Sequence, residues 1–189
     1  MLRTRHSHRW KICLFSLAVL AASAGCGAEP EAATRPLGGS NAAPAAHSTV
    51  DKQAAGKAAL AAYSGYLAAS RVASARSDPG HPELTRFLAD PLLTRVRVAI
   101  REAKEHGAMR TGRLVSDPTV VSVDLAAHPP IVEIQDCLDA TGYQLVYAKD
   151  RRVVPGTRGG RYLATATAAR YPDGRWLIKA GAAHQDQPC

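Results

Sequence analysis

The chain has 189 residues, 46% of them apolar, with 24 Lys and Arg against 16 Asp and Glu, a net charge of +8. Four of the bases, Arg3, Arg5, Arg9 and Lys11, precede Ile12 with no acid beside them, which leaves 20 against 16 and an ordinary +4 for the rest. That distribution excludes reading the basic excess as a nucleic-acid signature, and no internal repeat or motif names a reaction.

The basic start "MLRTRHSHRWK" runs into "ICLFSLAVLAASAG", 14 uncharged residues from Ile12 to Gly25, whereas crossing a hydrocarbon core takes about 20. A basic region followed by a short apolar one is the pattern of a signal peptide, so residues 1–25 are read as removed, Cys13 with them. The run ends in "SAGC", which resembles the bacterial lipobox at which diacylglycerol is attached to the cysteine, here Cys26. Ser23 stands where that pattern has an aliphatic residue. The alternative is ordinary cleavage at a small-residue site, with Cys26 left free. Lipidation is preferred because the following stretch suits a tether. Residues 26–50 are rich in Ala, Gly, Pro and Ser and cannot bury enough apolar surface to offset their ordering entropy. The 23 residues from Ala28 to Val50 would span roughly 25 Å as a flexible coil.

Residues 51–189 read as a single domain of ordinary size. "VDKQAAGKAALAAYSGYLAASRVASAR" is Ala-rich, with Leu60, Tyr63 and Leu67 recurring on one helical stripe, and "SDPG" at Ser77 to Gly80 ends it. A short helix follows in "HPELTRFLAD", with Pro82 in its first turn. A third begins with Asp90 as cap and Pro91 at the first helical position, puts Leu93, Val96 and Ile100 on one face, and stops at Gly107. The period then changes. "TVVSVDL", "PIVEIQDC", "YQLVYA", "RYLATATAARY" and "RWLIKAGAA" alternate in polarity between turn-forming segments and are expected to be successive antiparallel strands, with "MRTGRLV" as one more. Three helices followed by a curved antiparallel sheet make an α+β domain.

Two cysteines, Cys137 and Cys189, belong to this exported body. In an oxidising compartment an even number of thiols is read as a disulfide. Metal-ligand spacing and an activating histidine are both missing around them, which disfavours a zinc pair or a nucleophile.

The order of helices and strands resembles the nuclear transport factor 2-like cone, also called SnoaL-like. Residues 59–189 are more closely similar to a family of small actinobacterial-type lipoproteins, through "SDPGHPEL", "GRLVSDPTVVSVD", "VEIQDCLDATGY" and the cysteine after the last strand. The resemblance implies the cone, the anchor and the Cys137–Cys189 bridge, and it implies no activity.

A cone of this kind keeps a pocket between sheet and helices. If Val132 and Ile134 face inward, alternation puts Asp136 on the same face, with Tyr63, Tyr66 and Tyr147 as candidate neighbours. In ketosteroid isomerase, a relative of the cone by fold, pocket carboxylates and a tyrosine carry the chemistry. The reading preferred for Asp136 is nonetheless a solvated carboxylate at a strand end or bulge, because carboxylates are rarely buried unpaired. Lys149, Arg151, Arg152, Arg158 and Arg161 surround the turn "KDRRVVPGTRGG" and could meet anionic lipid or an acidic partner, but a solvated hairpin is the simpler account. Arg97, Arg101 and Lys104 share a helix face near acids. His81, His106, His128 and His184 show no metal-ligand spacing.

The expected function is therefore that of a lipid-anchored protein on the extracytoplasmic face of the cell membrane. Its body is read as a non-enzymatic binding or scaffold domain for a small apolar ligand or a protein partner, without cofactor or metal. The alternative is a small cone-fold enzyme of isomerase, cyclase or hydratase type acting through Asp136.

Overall fold

The structure is a computed structural model that describes residues 48–189. The expected signal peptide, Cys26 and the expected linker up to residue 47 lie outside the described residues. Helix α1, Thr49–Ala75, starts at a capping box. The Ser48 hydroxyl accepts from the Asp51 N–H at 3.1 Å while the Asp51 carboxyl accepts from the Ser48 N–H, so two otherwise orphaned donors are satisfied reciprocally. Its far end closes with Ser77 in the left-handed region at φ 52°. There the Ser77 N–H reaches the Ser74 carbonyl and the Asp78 N–H reaches the Ala73 carbonyl, the paired bonds of a Schellman stop.

Helix α2, Pro82–Phe87, and helix α3, Leu92–Glu105, follow. The sequence put Pro91 inside α3, whereas it occupies the cap position and has no capping side chain. Asp90, one residue further out, does the capping. Its Oδ1 accepts from the Thr94 N–H at 3.2 Å and from the Thr94 hydroxyl at 2.6 Å. Gly107 stops the helix as expected, at φ 63°.

Six strands complete the domain: β1 Ala108–Gly112, β2 Pro118–Asp124, β3 Ile131–Asp139, β4 Tyr143–Tyr147, β5 Arg161–Arg170 and β6 Trp176–His184. They do not form the single meander that their alternation suggested. β4 leaves the main sheet to pair with β1, and the remaining strands make a four-stranded antiparallel sheet in the order β2-β3-β5-β6. The domain is thus α+β with three helices and two antiparallel sheets. Alternation reports that a segment is a strand. It carries no information about which partner the strand takes.

The inner face of the large sheet is small on β5 and large on its neighbours. Ala164, Ala166 and Ala168 lie opposite Asp136, Ile134 and Val132 of β3, and all six are buried. α1 contributes Ala55, Ala59, Ala62, Tyr63, Ala69 and Ala73 to the buried core. Of the expected apolar stripe, Tyr63 is buried, with Ala59 and Ala62 beside it, while Leu60 and Leu67 are half-buried. Methyl-sized side chains let the helix backbone approach closely. A methyl placed on Gly56 would lie 3.3 Å from Val120, and one on Gly65 would overlap the Phe87 ring of α2. Leu88 and Ile178 tie the α2–α3 connection to β6 through a bridge in which the Ala89 N–H donates to the Ile178 carbonyl at 3.0 Å.

Ile134, 2% exposed, sits where this interface has no room to collapse. Ile134→Ala is expected to cost about 3 kcal/mol in urea unfolding, whereas Val121→Ala, at a position 61% exposed on β2, should stay within about 0.5 kcal/mol.

Candidate functional site

Asp136 is on the inner face and only 1% exposed, so the preferred reading of a solvated carboxylate is overturned. β3 alternates without a break through Val132, Ile134, Asp136 and Leu138, all buried. What makes this burial tolerable is the supply of donors. Asp136 Oδ2 accepts from the Tyr63 hydroxyl at 3.0 Å and from the Ser116 hydroxyl at 2.7 Å, and Oδ1 accepts from the Asp117 N–H at 2.7 Å. Ser116 and Asp117 immediately precede β2, whose first residue, Pro118, is opposite Asp136. Burial pushes the Tyr63 hydroxyl far above the ordinary tyrosine range, and the charge of Asp136 and the hydrogen bond to it push the same way. Tyr63 therefore acts as a fixed donor.

Tyr63 also forms part of the wall of an open cleft of about 730 Å³ between α1 and the β5–β6 side of the sheet. α1 supplies Tyr63, Tyr66, Leu67, Ser70 and Arg71, which at helical spacing share one face. Tyr66 meets Tyr63 edge-on at 5.8 Å between ring centres. Tyr143 at the start of β4 and Tyr162 on β5 complete a group of four tyrosines lining the cleft. Burial raises the hydroxyls of Tyr66, Tyr143 and Tyr162. At Tyr143 a hydrogen bond with Ser74 opposes the rise, as do the charges of Arg110 and Arg71 after it, and at Tyr162 the charge of Arg110 does.

Of the expected pocket residues, then, Tyr63 and Tyr66 line the cleft and Asp136 stands behind Tyr63, outside the lining. Tyr147 is elsewhere. It pairs with Ala108 at the far end of β4, next to the turn that holds Arg152. Tyr143, Tyr162, Arg71 and Arg110 were not singled out from the sequence. The signal available for the first two was position on a strand, and it became informative only once β4 was known to pair with β1 and β5 with β3.

The basic turn divides in two. Arg152 is ion-paired with Asp150 at 2.8 Å, whereas Arg158 and Arg161 reach the cleft. The loop carrying Arg158 is held by backbone. The Ala140 N–H donates to the Gly160 carbonyl at 2.9 Å, and a Cβ on Gly159 would collide with the Ala140 carbonyl. Among the other candidates, Arg101 and Lys104 are exposed on α3. His184 contacts the Thr165 hydroxyl at 3.1 Å, and His106 the Glu102 carbonyl at 2.7 Å. Among the described residues no group of His, Cys, Asp and Glu could hold a metal ion, and no helix is long and apolar enough to cross a membrane.

Cys137 and Cys189 form a disulfide with a Cα separation of 5.8 Å. The segment before Cys189 crosses β5, where the Leu163 N–H donates to the Gln187 carbonyl at 2.9 Å. Strict alternation from Val132 and Ile134 puts Cys137 on the opposite, outer face, beside Glu133 and Gln135, yet the bridge is not remote from the cleft. Arg161 Nε donates to Cys137 Sγ at 3.0 Å, and both Arg161 and Gln185 line the cleft.

No protein-family model matches the chain, and no curated protein matches it. Among solved structures, the intermembrane space region of the chloroplast protein ARC6 is similar at 18% identity over 68% of this chain and 95% of that one, with a TM-score of 0.49. A likeness at that level carries no functional implication.

Two stability predictions follow from the donor cluster and the bridge. Tyr63→Phe removes one charge-assisted hydrogen bond from Asp136 and should cost about 2 kcal/mol in denaturant unfolding, and Asp136→Ala about 3 kcal/mol, because it strands three donors. The Cys137→Ser, Cys189→Ser variant, opening a loop of 52 residues, should lose up to about 4 kcal/mol.

Proposed function

We propose that this chain is a lipid-anchored extracytoplasmic protein whose folded body is a nuclear transport factor 2-like cone serving as a non-enzymatic binding domain for a small ligand. The observation that carries the reading is the 730 Å³ cleft, which falls within the size range of small-molecule sites. The helices precede the strands in the order of such a cone and pack on one face of the large sheet, which supports the fold assignment. Attachment to the cell membrane through Cys26, and kinship with the actinobacterial-type lipoproteins, rest on the basic and apolar leader, the "SAGC" stretch and the tether.

The arrangement of Asp136 favours binding over catalysis. A general base needs a free lone pair within reach of a substrate proton. The three donors around Asp136 come from the fold itself, and Tyr63 stands between it and the cleft. The carboxyl group thereby acts as a structural fastener, and the isomerase-type alternative loses its proposed base.

Two measurements test the proposal. Cys26→Ala should move the protein from the membrane fraction to the soluble one, since burial of acyl chains supplies the attachment; equal membrane association of variant and wild type would refute the anchor. Ala183→Trp, at an exposed position lining the cleft, should leave folding intact and abolish co-extraction of any small molecule seen by mass spectrometry with the wild type. An unchanged set of co-extracted molecules would refute the cleft as the binding site.

A further inference from the structure

We propose that the cleft selects an organic anion, a phosphate or carboxylate head on a ring or chain body, with Arg71 and Arg110 as the head-group ligands. This rests on the binding reading above and specifies its ligand. Arg71, Arg110, Arg158 and Arg161 line the cleft, and no Asp or Glu is among the lining residues. The side chain of Arg161 is engaged with the disulfide sulfur. Arg71, Arg110 and Arg158 are exposed and form no ion pair among the described residues, where the arginines that do pair are Arg86, Arg152 and Arg175. Three guanidinium groups with no acid among the lining residues give the concavity an excess of positive charge that favours an anion. Guanidinium groups suit oxyanions because their donors are arranged as a planar fork.

The rest of the lining suits the body of such a molecule. Leu67, Leu114 and Leu138 with the rings of Tyr66, Tyr143 and Tyr162 offer apolar surface. The charges of Arg71 and Arg110 are felt at the Tyr143 hydroxyl and that of Arg110 at Tyr162, so the cations and the phenolic donors occupy one neighbourhood.

The test uses the full-length protein and two fluorescent probes that share a naphthylamine body, anionic 8-anilinonaphthalene-1-sulfonate and neutral N-phenyl-1-naphthylamine. The wild type should bind the sulfonate roughly tenfold or more tightly than the neutral probe, and rising salt should erode that preference. Arg71→Gln with Arg110→Gln should abolish the preference while retaining neutral-probe binding, and Arg101→Gln on the exposed face of α3 should change neither. Equal affinity for both probes, or a preference indifferent to salt, would overturn the anion proposal and leave the binding reading standing. Binding of neither probe would overturn both. Displacement of the sulfonate by phosphatidylglycerol vesicles identifies a membrane-borne anion, and displacement by octyl phosphate alone identifies a dissolved one. Displacement by neither also overturns the proposal.

Discussion

One buried carboxyl group sets the geometry of this domain. Asp136, on an interior strand of the large sheet, draws donors from α1 and from the segment before β2. A carboxyl group taken out of water is tolerated only when its lone pairs are met. The helix therefore cannot slide or roll without moving Tyr63 off its acceptor. Aliphatic contacts along α1 are mostly methyl to methyl and would tolerate small shifts. The polar fastener fixes the register that those contacts leave loose.

That register has a second effect. Small residues bring α1 close to the sheet where Gly56 meets Val120 of β2. Toward Ser70 and Arg71 the chain passes over β5 and β6 near Tyr162 and Gly181, and there the two layers enclose the cleft. Close approach at one end and an opening at the other are thus produced by the same helix, held by the hydroxyl of Tyr63 in the part between.

Much of the fold was legible because it is written in local signals. Gly107 and Pro82 marked helix limits correctly, and the alternation of Val132, Ile134 and Asp136 gave the right face for all three. The inference drawn from the last was wrong, since a general reluctance of carboxylates to be buried outweighed the pattern. The deciding fact was nonlocal: Tyr63 and Ser116 are 73 and 20 residues away. The same limit explains Tyr147 and Tyr143. Both occupy one short strand, and only the pairing of β4 with β1 determines which end of it meets the cleft. Pairing depends on loop paths such as the one from Arg113 to Asp117, which no periodicity encodes.

The loop from Gly156 to Gly160 has a consequence for how such a cleft could diversify. Gly159 is pressed so closely against the Ala140 carbonyl that no other residue fits, while Gly156 and Gly160 face open space. The course of the loop is thereby held by main chain and by the Thr157 hydroxyl, which donates to the Val154 carbonyl at 2.6 Å, and Arg158 is carried on it like an exchangeable tip. Substituting that one side chain would alter what the rim offers without disturbing the path beneath it. Related chains could thus acquire different tastes at position 158 while remaining bound to glycine at position 159.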